Sequence, residues 1–220
     1  MPNYLTPGVY VEEVSSGARP IQPVGTSTAG FVGIAPDPSI RPHEPVGINS
    51  WSHFMRVFAP DPSKAESTHL AQAVHGFFLN GGSRCYVVNC QDENQLTGNR
   101  KGLGALEPID EIAIVAAPGF TSAAAYDAIL NHCETLEDRV AILDGPQSVD
   151  AINNLTTVAT AKATKKKDEE GDASPASGGG GLRPRNSDRG YGAVYFPWIV
   201  GRDPNNRSSL IPMPPSGHMA

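Results

Sequence analysis

The residues of this sequence that could do chemistry are scattered, and their spacing matches no common catalytic or metal-binding motif. No H-x-x-x-H or C-x-x-C pair would bring two metal ligands onto one face. Ser216 and His218 are one residue apart, so in an extended segment they point to opposite faces, and no G-x-S-x-G motif presents a nucleophile. We therefore expect no metal, no cofactor and no serine nucleophile. The six histidines are His43, His53, His69, His75, His132 and His218.

Three acidic residues give the best argument for an enzyme. Asp110, Glu111 and Asp144 lie near the ends of predicted strands, and α/β enzymes often place catalytic groups at strand carboxyl ends. The alternative is that Asp110 caps a loop and that Asp144 belongs to a turn with Gly145 and Pro146. We favour this structural interpretation and predict that the protein is not an enzyme.

A run of four glycines at 178–181 invites comparison with a phosphate-binding loop. No Gly-Lys-Ser/Thr follows the run and no predicted strand leads into it, so the sequence does not favour a nucleotide site. Cys85, Cys90 and Cys133 are odd in number and lack C-x-x-C spacing, which indicates reduced, mostly buried thiols.

Composition excludes several broad classes of protein. The chain has 220 residues, 39% of them hydrophobic, and a net charge of -6, which indicates a globular protein and not a basic nucleic-acid binder. No apolar run approaches the roughly 18 residues of a membrane helix, and the start of the chain lacks the features of a secretory signal. We expect a cytoplasmic protein that does not insert into membranes.

Apolar runs alternate with helical patterns along the first 150 residues. Strands are predicted at 29–35, 85–90, 112–119 and 140–146, and the last two have the continuous apolar character of strands buried on both faces. Helices are predicted at 66–82, which ends at Asn80-Gly81-Gly82, and at 122–138, with an N-cap at Thr121-Ser122. This rhythm predicts an α/β fold with a largely parallel sheet and crossover helices.

Residues 162–190 interrupt this rhythm. They combine a lysine run, an acidic run and a Ser/Pro/Gly tract without apolar periodicity, which predicts a flexible surface insertion. An aromatic strand is predicted after it, at 191–204, returning the chain to the folded body.

The first 25 residues contain one isolated strand pattern. The strand VYVEEV is preceded by Pro7-Gly8 and followed by Ser15-Ser16-Gly17, and Pro20 and Pro23 keep the next segment extended. Because no neighbouring segment can pair with it, we predict an extended arm that adds a strand to a sheet of another subunit. The predicted inter-subunit strand consists of Val9, Tyr10, Val11, Glu12, Glu13 and Val14.

Several segments together resemble contractile tail sheath proteins of myophage tails and phage-tail-like injection systems. The resemblance is carried by YLTPGVYVEEVSSGARPIQPVGTSTAGFVG, IAIVAAPG, HCETLEDRVAILDGP, YGAVYFPWI and PPSGHMA, in that order. It covers residues 1–160 and 190–220, and its most specific parts are the PGVYVEEV arm and the YFPW and PPSGH pair.

The resemblance implies a structural subunit that polymerises as hexameric rings or a helix around an inner tube and contracts to drive the tube through a target envelope. It implies other sheath subunits, the tube protein, and baseplate and cap proteins as partners, without nucleic acid. It also implies assembly in the bacterial cytoplasm into a phage tail or injection particle. In that family the donated arm joins a sheet of neighbouring subunits.

The expected organisation has four parts. They are an arm at 1–25, an α/β sheath domain at 26–161, the insertion at 162–190, and a return strand with the start of a truncated C-terminal domain at 191–220. The expectation of truncation rests on the family, in which the PPSGH segment leads into a further domain. The competing hypothesis is an α/β enzyme or a small-ligand-binding domain with its site at the strand carboxyl ends.

Overall fold

The structure is a computed structural model that describes residues 27–61, 63, 65–159, 181–205 and 209–220. Within these residues the strands are β1 (Ala29–Gly33), β2 (Val46–Ile48), β3 (Cys85–Asn89), β4 (Ile114–Ala116), β5 (Val140–Asp144), β6 (Gly192–Tyr195), β7 (Ile199–Arg202) and β8 (Leu210–Met213). The helices are α1 (Trp51–Phe58), α2 (His69–Leu79), α3 (Ala123–Leu136) and α4 (Ser216–Met219). Short 3-10 turns occur at Glu93–Gln95, Gly102–Ala105 and Ile152–Leu155.

Six of the strands form one mostly parallel sheet. Its order is β2-β3-β1-β4-β5-β6, and each neighbouring pair is parallel except the antiparallel pair of β2 and β3. The central strand β1 places Phe31 beside Val87 of β3 on one side and Ala116 of β4 on the other. The predicted α/β fold with a largely parallel sheet is confirmed.

The elements predicted from apolar runs are all present, with shorter bounds. The helix predicted at 122–138 is α3, and the Ser122 hydroxyl accepts a hydrogen bond from the Ala125 N–H at 3.1 Å, as an N-cap does. The helix predicted at 66–82 is α2, which ends at Leu79 with Asn80 as its C-cap and is followed by Gly81 in the left-handed region.

The aromatic segment predicted as one strand at 191–204 forms two strands in different sheets. β6 joins the edge of the main sheet, whereas β7 pairs antiparallel with β8 in a separate two-stranded ribbon. Pro197 lies between the two strands and has no N–H for a strand ladder. The prediction of one continuous strand is therefore wrong.

Two hydrophobic clusters occupy the two faces of the main sheet. On one face α3 packs Tyr126, Ile129 and Leu130 against β4, β5 and the 3-10 turn at 102–105. On the other face α1 and α2 bury Phe54 and Phe77, among others, and the Phe77 ring meets Phe31 of β1 edge to face at 5.6 Å. The three cysteines are unpaired and buried in these clusters, as the sequence predicts.

Two sequence predictions fall wholly or partly outside the described residues. The arm at 1–25, with its strand at Val9–Val14, lies outside them, as do residues 162–180 of the predicted insertion. Residues 181–190 are described and pack on the folded body: the Leu182 N–H donates to the Asn154 carbonyl at 2.9 Å. The predicted domain boundaries remain predictions. None of the helices in the described ranges has the length and apolar character needed to cross a membrane.

Candidate functional site

Several polar contacts meet at the side chain of Asp144, which lies where the parallel strands end. Asp144 is the last residue of β5 and only 2% exposed. One of its oxygens accepts the Ser216 N–H at 2.7 Å. The other accepts the Ser216 hydroxyl at 2.8 Å and the Gly119 N–H at 3.0 Å. Both oxygens are therefore bound by donors of the chain itself.

Local geometry explains why Gly119 reaches this carboxyl group. β4 and β5 are parallel neighbours, so the loop that leaves β4 lies beside the end of β5. Gly119 has a φ of +78°, and a Cβ at this position would collide with the His69 ring. Only glycine satisfies both conditions without strain.

Burial raises the pKa of Asp144, and the hydrogen bonds from Gly119 and Ser216 act in the opposite direction. A buried carboxyl group with three donors is a strong structural tie, because each donor would be left unsatisfied without it. The geometry thus gives Asp144 the role of an anchor for the C-terminal part of the chain.

Helix α4 seats the anchored segment directly on α2. A Cβ on Gly217 would collide with the backbone of Ala73, and one on Gly76 would fall 2.6 Å from the His218 ring. The backbones therefore approach closely at Gly217, and the His218 ring covers Gly76. Burial lowers the pKa of His218.

Further hydrogen bonds fix the ribbon that precedes α4. The Trp198 indole N–H donates to the Gly145 carbonyl at 2.7 Å, and the Ser67 hydroxyl donates to Asp203 at 2.9 Å. The Trp198 ring also meets the His69 ring edge to face at 4.9 Å. We call residues 198–205 and 209–220, which contain β7, β8 and α4, the C-terminal clasp.

The three acidic residues singled out in the sequence are not brought together. Asp110 and Glu111 precede β4 and lie at the amino end of the sheet, where both are exposed, whereas Asp144 lies at the carboxyl end. Glu111 accepts hydrogen bonds from the Tyr86 hydroxyl and from Arg84. The predicted turn of Asp144 with Gly145 and Pro146 is wrong, because Asp144 is the last residue of β5 and no turn follows it there. Its side chain instead binds Ser216, which is 72 positions away.

Ser216 and His218 also differ from their sequence interpretation. They lie in the helical turn α4 and not in an extended segment. The Ser216 hydroxyl contacts Asp144, and His218 packs on Gly76 of α2, so the two side chains serve different contacts. Among the residues that the structure describes, no group of three or more His, Cys, Asp or Glu side chains is placed to hold a metal ion.

Sequence reasoning missed Gly119, Trp198 and Ser67 as parts of this site. The hydrogen-bond partner of each lies far away in the sequence, so local sequence does not reveal the contact. The one local signal is the Pro-Pro-Ser-Gly run at 214–217, which favours a helix start beside a close backbone approach.

The solved structures to which the chain is similar include three of one particle, the anti-feeding prophage. The chain is similar to a chain of its helical sheath in the contracted state, with a TM-score of 0.56 and 21% identity over 99% of this chain and 51% of that chain. For a chain of its contracted baseplate the TM-score is 0.61 and the identity 17%, and the match covers 98% of this chain and 53% of that chain. For a chain of the six-fold symmetrised baseplate the TM-score is 0.52 and the identity 23%, and the match covers 99% of this chain and 51% of that chain.

The chain thus spans about half the length of the chains it matches. No model of a known protein family and no curated protein matches the sequence. The likeness to the solved structures extends over nearly the whole of this chain, and it confirms the resemblance seen in the sequence at the level of fold. The chain has the fold of a contractile tail sheath-like protein.

Proposed function

We propose that this chain is a structural subunit of a contractile injection system, a sheath subunit that polymerises around an inner tube and contracts to drive the tube outward. The observation that carries the proposal is the match of 98–99% of the chain to helical sheath and baseplate structures. Its partners would be other copies of the sheath subunit, the tube protein, and baseplate and cap proteins. Assembly would take place in the bacterial cytoplasm.

The link between subunits is the N-terminal strand at Val9–Val14, donated to a sheet of a neighbour. Main-chain hydrogen bonds of an added strand survive rotation of the folded bodies, because the segment between strand and body can bend while the pairing persists. Energy for contraction would be a packing difference between two lattice states, summed over many copies, and would need no nucleotide.

The anchor geometry favours a structural role over the competing enzyme or ligand-binding function. Asp144 is the acidic residue at the strand carboxyl ends that the sequence singled out, and its oxygens bind Ser216 and Gly119.

Electron microscopy of the purified chain tests the proposal. Wild-type protein should form sheath-like rings or tubes, and Val9→Asp with Val11→Asp should abolish them, because buried charge opposes strand addition. The matched control is Val9→Thr with Val11→Thr, which keeps strand propensity and should still assemble. Normal assembly of the aspartate variant would exclude strand donation, and a wild-type chain that stays monomeric would contradict self-assembly.

A further inference from the structure

The C-terminal clasp is attached to the rest of the molecule by hydrogen bonds at its two ends and by the close packing of α4 on α2. We propose that the clasp opens and closes as one unit while the six-stranded sheet stays folded, and that the contact between Asp144 and Ser216 holds it shut. The inference depends on contacts within one chain and is independent of the proposed function.

The ribbon of β7 and β8 shares no strand with the main sheet. Its outer face carries Val200 and Leu210, which are 69% and 68% exposed. An isolated two-stranded ribbon is marginally stable in water, and the two strands of this ribbon pair with each other and with no strand of the main sheet. The clasp therefore depends on its docking contacts for its own order.

The polar docking contacts are local. The Ser67 hydroxyl and the Glu66 carbonyl hold Asp203 and Asn205 beyond β7, with the Asn205 side-chain amide donating to Glu66 at 3.1 Å. At the other end, Trp198 and Ser216 bind the end of β5. Breaking these bonds removes none of the backbone ladders of the six-stranded sheet, so the sheet can remain intact when the clasp leaves.

The apolar docking contacts make the movement all-or-none. Gly217 lies against the backbone of Ala73, and the His218 ring covers Gly76, so a shift of α4 along α2 produces a clash instead of an intermediate fit. An open clasp exposes Ala73, which is fully buried when the clasp is closed, together with the Asp144 carboxyl group. The same buried carboxyl group thus favours reclosure, because it loses the Ser216 donors on opening.

Hydrogen exchange of the purified chain, read by mass spectrometry at neutral pH, tests this inference. Peptides from 198–205 and 209–220 should exchange through an opening of the clasp that occurs more often than global unfolding. Peptides from β3 and β5 should exchange only through global unfolding. Ser216→Ala removes the hydroxyl contact to Asp144. It should speed exchange in the clasp by about tenfold or more, since hydrogen bonds to charged groups are the stronger kind, and leave β3 and β5 unchanged.

The matched control is Ser122→Ala, which removes the N-cap of α3 by the same chemical change outside the clasp. It should alter exchange near α3 and leave exchange in the clasp at the wild-type rate. Trp198→Phe, which removes the bond to Gly145, is a second way to loosen the clasp and covers the case in which Ser216→Ala fails to fold. Exchange of the clasp only in step with β3 and β5, in wild type and in the folded variants alike, would overturn the proposal.

Discussion

At the scale of single residues, Asp144 shows how an acidic side chain at a strand carboxyl end can be structural. The sequence identifies its place at the end of β5, because the apolar run VAIL marks the strand. It does not identify the partners, because Gly119 and Ser216 reach Asp144 only after the sheet and α4 have formed. The location of this site residue was predictable, and its contacts were not.

The substitution Asp144→Asn tests the anchor. An asparagine has one acceptor oxygen where the aspartate has two, and its amide would face the N–H of Gly119 or the donors of Ser216. We expect a loss of about 2–4 kcal/mol in the free energy of unfolding, measured by urea denaturation, because a buried donor is left unsatisfied.

Asp110→Asn is the matched control for this experiment. Asp110 is exposed at the opposite end of the sheet, so the same chemical change should alter the free energy of unfolding by less than about 0.5 kcal/mol. Equal effects of the two substitutions would show that the Asp144 contacts contribute little.

His132 should make stability depend on pH. His132 lies on α3 and is 8% exposed. Burial and the charge of Arg139 lower its pKa, the charge of Asp138 raises it, and the net result is a pKa of about 4. The unfolded chain binds the proton near pH 6.5 and the folded chain only near pH 4, so acidification favours unfolding across that window. We expect His132 to cost about 2 kcal/mol of unfolding free energy at pH 5 relative to neutral pH.

Urea denaturation of wild type and His132→Leu at pH 7 and pH 5 isolates this effect. The difference between the two proteins should shift in favour of the leucine variant at pH 5, since leucine cannot bind a proton. A difference that stays constant with pH would mean that folding does not lower the pKa of His132.

At the scale of elements, the sequence predicts those that carry their own apolar pattern. Four strands and two long helices follow from runs such as IAIVAA and from the spacing of Ile129, Cys133 and Leu136. The sequence does not predict the short elements β2, α1 and α4. Each has between three and eight residues and is stabilised mainly by packing on other elements, so its own sequence pattern is too short to identify it. The ribbon escapes it because Pro197 and the contact of Trp198 with Gly145 redirect the chain.

Gly217→Ala tests the close packing of α4 on α2. The added methyl group would meet the Ala73 backbone, which cannot move without shifting α2. We expect a loss of about 1–3 kcal/mol in unfolding free energy, as for overpacked cores, with increased proteolysis confined to the clasp.

Gly47→Ala is the corresponding control in β2. A Cβ at Gly47 would lie 3.5 Å from the Tyr86 ring, an ordinary contact distance, so the substitution should change stability by less than about 0.5 kcal/mol. If Gly217→Ala were equally harmless, the approach of α4 to α2 would have to be looser than the structure shows.

At the scale of the whole molecule, the predicted insertion at 162–190 has an ordered end. Arg185 forms an ion pair with Glu134 of α3 at 2.6 Å and donates to Asn131 at the same distance, so the last part of this segment belongs to the folded body. Composition alone does not separate this part from the charged tract before it, because the partners of Arg185 lie on a distant helix.

The remaining part, residues 162–180, should be dispensable for folding. Its charge and glycine content provide no apolar surface to fill an interface core, so replacing it with a short Gly-Ser linker should leave the thermal unfolding midpoint within a few degrees of wild type. Arg185→Ala keeps the segment and removes its contacts with Glu134 and Asn131, so it should lower that midpoint more. Loss of folding on linker replacement would show that these residues form part of the core.

Strand β5 has a buried ionisable side chain at each end. Arg139 precedes it, with its guanidinium group fully buried against Asp138 and the carbonyls of Leu106 and Ile109, and Asp144 closes it. The two residues are roughly 16 Å apart along the strand. A shift of β5 along its own axis, in either direction, would move one of these side chains away from its hydrogen-bond partners and into apolar surroundings. The cost of burying an unpaired charge therefore opposes a change of register in both directions. Under axial load the sheet should consequently yield elsewhere before β5 changes register.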